Sequence, residues 1–214
     1  MPTRATPRGD QETRARVLTA ATRLFAERGF ARVTVRDICR KARANVAAVN
    51  YHFGGKEGLY RAVMQTAIET MQDTTEAARA AGRDRSPEER LRAYVSVFLR
   101  RIVGSGSGTW IHQVMMREIS DPTPSLELVI EQVMMPRMAY LCEAIAELIG
   151  CAPDDIRVSR CALSLQSQFQ SLMWNEVLGR FAPRLQMRSD TLDEIAEHIT
   201  KFSLGGVLSF RKSG

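Results

Sequence analysis

Four cysteines in 214 residues, none of them in a CxxC pair, leave no framework for a disulfide scaffold and no dithiol spacing of the zinc or redox kind. Histidine is scarcer still. His52, His112 and His198 stand far apart, and no HxxxH, HExxH or clustered carboxylates accompany them, so no metal site is expected. There is no glycine-rich phosphate loop after a strand, no GxSxG elbow and no credible nucleophile and base pair, which argues against an enzyme and against a resident cofactor. No apolar run approaches the ~20 residues of a membrane span, and the chain does not open on a secretory apolar segment. A cytoplasmic protein with reduced thiols is the expectation.

What is present is positive charge, unevenly placed. Residues 1–56 hold 12 Lys+Arg against 4 Asp+Glu, a balance of +8; the other 158 hold 18 against 20, a balance of −2. All of the net +6 therefore belongs to the N-terminal quarter. A basic lobe attached to a near-neutral body points to a head that binds a polyanion.

Apolar residues recur with helical period nearly throughout, with no convincing strand and no repeat, so the expected fold class is all-α. Residues 1–10, rich in Pro, Arg and Thr, read as a disordered arm. A first helix from Gln11 to Arg28 ends at Gly29. Thr34 caps a second, Val35 to Ala42, with Asp37 three residues on to return the bond. After the bend Arg43-Ala44-Asn45, Asn45 caps a third helix from Val46 to Phe53. Gly54-Gly55 then breaks the chain before a long fourth helix from Lys56 to Ala81. Further helices are expected from Ser86-Pro87 to Val103, from Thr109 to Ile119 after a GSGSG break, and from Thr123-Pro124 to Gly150 with a kink at Pro136. The last two are placed from Asp155 to Gly179 and from Thr191 to Phe210.

Two short helices joined by a tight bend, in the most basic part of the chain, are what a DNA-reading module needs. Val35, Ile38, Cys39, Val46 and Val49 are the apolar positions that would lock them together over Leu18, Ala21 and Phe25 of the first helix. Ala47, Ala48, Asn50, Tyr51 and His52 remain for the outward side. Small alanines admit the helix to base edges, Asn50 can pair with adenine or reach a phosphate, and Tyr51 and His52 can meet phosphates or stack. For His52, a partly buried imidazole beside Phe53 is an equal alternative. Thr34, Arg36, Asn45 and Lys56, at helix starts and flanks, suit backbone phosphates.

Leu24-Phe25, Gly29-Phe30, Thr34-Val35, Ile38, His52-Phe53, Lys56-Glu57 and Leu59-Tyr60 fall in one register. In this register residues 13–60 resemble the DNA-binding domain of the TetR family of bacterial one-component regulators. Two departures stand out. Arg43 occupies the bend where the family usually has Gly, a place that favours a left-handed backbone. Asn50 stands where a phosphate-contacting Tyr is usual, with Tyr51 one residue on. The resemblance implies a helix-turn-helix head at 11–60 and a ligand-binding, dimerising body at 61–214. It also implies a palindromic duplex operator and a homodimeric repressor released by an apolar or amphipathic small molecule. Trp110, His112, Met115, Met116, Met134, Met135, Phe169, Met173 and Trp174 are the candidate pocket residues, since methionine adapts to varied apolar shapes. The last two long helices are the implied dimer contact. The alternative is a DNA-binding regulator switched by cysteine redox or by a protein partner.

Overall fold

The computed structural model describes residues 8–104, 106–172, 175–188 and 190–211. Among them the elements are helices: α1 Arg8–Arg28, α2 Val35–Ala42, α3 Val46–Phe53, α4 Lys56–Gly82, α5 Pro87–Gly104, α6 Gly106–Ser120, α7 Ser125–Val129, α8 Met135–Ile149, α9 Ile156–Leu172, α10 Asn175–Phe181 and α11 Leu192–Leu208. A π-helical turn, Ile130–Met134, joins α7 to α8, and a short 3-10 turn covers Pro183–Leu185. The all-α expectation holds. Three details follow. α1 starts at Arg8, so residues 8–10 are helical and not part of an arm; residues 1–7 lie outside the described residues. In the glycine-rich stretch α5 runs to Gly104 and α6 starts at Gly106, with residue 105 outside the described residues. Of the helix expected from Asp155 to Gly179, the described stretches Ile156–Leu172 (α9) and Asn175–Phe181 (α10) are helical, and residues 173 and 174 lie outside the described set.

Contacts divide the chain into two compact units, Met1–Glu69 with Thr109–Leu128, and Thr70–Gly108 with Val129–Gly214. Whereas the sequence reading counts α6 with the body, its contacts group it with the head.

In the first unit, where α1 packs on α2 and α3, Val17, Ala21, Leu24 and Phe25 of α1 lie fully or almost fully buried, as do Ile38 and Cys39 of α2, Val49 of α3 and Leu59 and Val63 of α4. The Tyr60 ring meets Phe25 edge-on at 5.0 Å and Phe30 at 4.9 Å between centroids, in the range where aromatic pairs attract. α6 is tied to the end of α1 through Arg117, whose Nε donates to the Ala26 carbonyl at 3.0 Å and whose Nη2 donates to that of Glu27 at 2.5 Å. A cation at a helix C-terminus satisfies carbonyls that lack an intrahelical donor.

The second unit is built on Tyr94, Phe98, Tyr140 and Phe169, with Leu91, Leu99, Leu141, Ile145 and Leu165 around them. The expected disturbance at Pro136 takes a definite form. Proline supplies no N–H, so the carbonyl four residues back, that of Gln132, has no helical donor. The chain widens into the π turn, where the Met135 N–H reaches the Ile130 carbonyl, and Gln72 Nε2 on α4 donates to the Gln132 carbonyl at 3.3 Å.

Candidate nucleic-acid interface

Each helix of the reading pair is capped by its own sequence. The Asp37 N–H donates to Thr34 Oγ1 at 3.2 Å, and the Thr34 N–H returns a bond to Asp37 Oδ2 at 3.2 Å, a complete capping box. The Thr34 hydroxyl, donating at 2.6 Å, holds the Asp37 carboxyl below its ordinary range, and the Thr34 N–H adds to this. The Ala48 N–H donates to Asn45 Oδ1 at 2.8 Å, which starts α3. Between the helices Arg43 sits at φ 50°, ψ 49°, the left-handed conformation foreseen for this bend, with its side chain exposed. The bend persists because the N–H groups of Arg43 and Ala44 both reach the Cys39 carbonyl.

α3 then presents two sides. Val49 is fully buried. Ala47, Asn50 and Tyr51 are exposed, Tyr51 by 76%, and Ala48 and Asn45 flank them. These spacings put the exposed residues on one face. Thr34 and Arg36 are exposed on the neighbouring start of α2.

Two sequence expectations need correction, and Lys56 gains a second contact. Val46 does not lock α2 to α3: it is 44% exposed, on the same open side as Ala47 and Asn50. His52 takes the second of its two alternatives, the partly buried imidazole: its side chain is only 8% exposed and its Nε2 lies 3.1 Å from Asp10 Oδ1 at the start of α1. It tethers the end of α3 between the rings of Tyr51 and Phe53. Lys56 lays its Nζ 4.2 Å above the Phe30 ring, so part of its role is to hold the first turn of α4 on the head. Gly58 fixes that same turn. A Cβ there would lie 1.8 Å from the Phe53 carbonyl oxygen, so only glycine lets α4 start so close behind α3.

A residue that sequence reasoning missed is Glu118 on α6. It is buried, and its carboxylate accepts the Tyr60 hydroxyl at 2.5 Å and both the N–H (2.8 Å) and hydroxyl (2.7 Å) of Thr123. Burial first, and Glu118 second, push the Tyr60 hydroxyl well above the usual phenol range, so it remains a donor. A lone Glu in a polar stretch carries no signal of this in the sequence.

The expected ligand residues divide between the two units. Trp110 and Met115 are half-buried in the first unit, where His112 and Met116 line an open groove of about 680 Å³ with Phe30, Tyr60, Arg117 and Asp121. Burial lowers the His112 pKa, favouring neutral imidazole. In the second unit Met134 and Met135 face solvent, Met135 by 62%, because the π turn carries them outward. Phe169 is packed into the aromatic core, its centroid 5.9 Å from Tyr94 and 5.6 Å from Phe98. Met173 and Trp174 lie outside the described residues. Of the thiols, Cys39, Cys142 and Cys161 have their pKa raised by burial, which makes them poor nucleophiles. Among the described residues no group of His, Cys, Asp or Glu is placed to hold a metal ion, and no helix is long and apolar enough to cross a membrane.

A capped helix pair with a short exposed face on a basic three-helix head defines a helix-turn-helix protein. Comparison with known proteins agrees. The profile of the family described as bacterial regulatory proteins, tetR family, matches residues 17–63, and that of the C-terminal domain of the HTH-type transcriptional dual regulator CecR matches residues 87–207. The chain belongs to the TetR family of bacterial regulatory proteins, with a C-terminal region of the CecR type. It is a DNA-binding transcriptional regulator, not an enzyme.

Similar proteins include the HTH-type transcriptional dual regulator CecR of Shigella flexneri, 29% identical over 156 residues, which are 69% of this chain and 70% of that one. The HTH-type transcriptional repressor Rv3405c of Mycobacterium tuberculosis is 46% identical over 61 residues, 28% of this chain and 32% of its own. Among solved structures, the TetR-family regulator SCO4454 of Streptomyces coelicolor superposes with a TM-score of 0.67 at 22% identity, covering 92% of this chain and 97% of that one. The fatty acid degradation regulator FadR of Bacillus halodurans does so with 0.64 at 17%, covering 95% and 98%. At these identities the two structures attest the fold.

Proposed function

We propose that the protein is a homodimeric repressor that a small molecule releases from a palindromic operator. The observation that carries this reading is the open face of α3. Ala47, Asn50 and Tyr51 stand clear of the head while Val49 anchors the helix from behind, and exposed Thr34, Arg36 and Arg43 surround them. Base edges would meet Ala47, Ala48 and Asn50; phosphates would meet Thr34, Arg36, Arg43, Asn45, Tyr51 and Lys56.

Two such helices must enter successive major grooves roughly 34–36 Å apart, which requires a pair of chains related by a two-fold axis. α9 and α11 are suited to form that pair. α9 exposes Ile156 and Leu163, and α11 exposes Phe202 by 69%, one turn before Gly205-Gly206. A Cβ on either glycine would meet nothing within 4 Å, so the chain's own packing does not need them. Glycine inside a helix costs about 1 kcal/mol relative to alanine, and close approach of a partner helix would explain its retention. Ligand binding in the second unit would act on the Thr70–Gly82 part of α4, whose other half carries Tyr60 and Lys56 in the first unit. The effector works by binding better to the form whose heads do not match the operator.

The purified protein should bind a fragment from its own upstream region with an affinity that falls steeply as salt rises. Asn50→Ala with Tyr51→Ala should abolish the sequence-specific part, and Phe202→Lys should yield monomers in sedimentation and lose operator binding. Salt-insensitive binding, or wild-type affinity for the double variant, refutes the reading.

A further inference from the structure

The open face of α3 does not use all of the head's basic charge. Between α1 and the end of α2 lies an open cleft of about 480 Å³, lined by Arg16, Arg23, Lys41 and Arg43 over a floor of three alanines and Thr19. No carboxylate lines it, and none of the four cations has an ion pair among the described residues. Glu12 and Glu27 stand four residues from Arg16 and Arg23 on α1, yet neither forms that pair. Four like charges in one cleft raise its potential and draw an anion. Arg16 is held in place there: its Nε donates to the Ala42 carbonyl at 3.3 Å and its Nη2 to Thr13 Oγ1 at 3.2 Å. A cation suits a helix C-terminus, which accounts for Arg16 and in part for Lys41. It accounts neither for Arg23 nor for an arginine at the left-handed position 43, where glycine would sit without strain.

Two features choose the anion. Arg16 and Arg23 are two turns apart on α1, about 10 Å along the helix, so a single small ion would touch one end of the row. A nucleic-acid strand, with a charge every ~3.4 Å of axis, would meet all of it. The cleft also runs into the reading face, since Arg43 lines it and stands two residues before Asn45, the cap of α3. We infer that this cleft is a second phosphate seat of the head, in which Arg16, Arg23 and Lys41 grip the duplex backbone beside the stretch that α3 enters, with Arg43 at the junction. Guanidinium and ammonium groups on phosphates fix the register of the head and read no base.

This rests on the operator-binding reading above and extends its contact with the duplex. The test uses the full chain with two duplexes, the upstream fragment and a scrambled one of equal length, each titrated at several salt concentrations. Arg23→Gln with Lys41→Gln removes two cations of the cleft and leaves Arg16 on the Ala42 carbonyl. The plot of log affinity against log salt should flatten by about 1.8 per bound chain, equally on both duplexes, with the preference between them unchanged. Arg23→Lys with Lys41→Arg, which keeps both charges, should restore the wild-type slope. A double variant as salt-sensitive as wild type, or a flattening that the charge-keeping variant shares, overturns the inference. Should the double variant fail to fold, Arg23→Gln alone, with an expected flattening of about 0.9, decides. Thermal melting with millimolar inorganic phosphate runs in parallel. A rise in wild type that the double variant lacks, with the salt slope on DNA unmoved, assigns the cleft to a free ion and also overturns the inference. If wild type binds both duplexes alike and the slope still falls in the variant, the operator reading fails and the cleft stands. If the upstream fragment is preferred and the slope does not move, the cleft fails and the operator reading stands.

Discussion

Removing one oxygen atom, the hydroxyl of Tyr60, tests how α6 is held to the DNA-reading head. Glu118 is 1% exposed, and its carboxylate accepts three donors, one from Tyr60 and two from Thr123. Tyr60→Phe leaves the ring and its packing on Phe25 and Phe30 in place, so the loss isolates a single bond to a buried carboxylate. Such bonds contribute about 1.5–3 kcal/mol, because the acceptor stays buried with one partner fewer. For a chain of this length about 2 kcal/mol lowers the melting midpoint by roughly 4–8 °C. Glu118→Gln keeps the volume but turns an N–H₂ group toward donors, and should cost a similar amount. Urea melts of the two single variants and the double variant close the cycle. The expected coupling is about 1 kcal/mol or more, since the second change finds the bond already lost. A Tyr60→Phe variant within about 0.5 kcal/mol of wild type, or strictly additive singles, would refute the clamp.

Gly58→Ala should cost about 3 kcal/mol, at the upper end for added bulk, because the obstruction is the Phe53 backbone and cannot rotate away; a near-normal chemical melt would show that α4 starts elsewhere. Arg43→Gly releases about 1–2 kcal/mol of left-handed strain, less about 0.4–1 kcal/mol for the freer unfolded chain. A slightly higher melting point should accompany weaker operator binding, with a salt slope smaller by about 0.9 if Arg43 contacts a phosphate, read by titration at several salt concentrations. The depressed Asp37 pKa gives stability that is present above its unfolded value, near 3.8, and lost as pH falls through the lower folded value. Thr34→Ala should therefore flatten the acid limb of the helicity curve below about pH 4, where circular dichroism follows it. An unchanged limb would mean that the capping box does not form in solution.

The head was legible because its determinants are local. Thr34 with Asp37, Asn45, the Arg43 bend and Gly54-Gly55 act over three or four residues, and the apolar spacing of α1 to α3 states which side is buried. The same locality explains the misses. Val46 satisfies the helical period yet lies at the margin of the buried face, and only its neighbours place it in the open. His52 was balanced between two roles until Asp10, from the other end of the head, took its Nε2. The methionines and aromatics of the body read as one cluster along the chain, but the π turn before Pro136 turns Met134 and Met135 outward while Phe169 goes to the core.

From sequence alone came the helical class, the basic head, the caps of its reading helices and the family they resemble, all consequences of charge and of hydrogen bonds that span a turn or less. The tertiary structure alone decided that Glu118 meets Tyr60, that α6 packs with the head, and that Arg117 reaches the carbonyls at the end of α1. Those depend on residues far apart in the chain, and no periodicity or cap records which distant groups will meet.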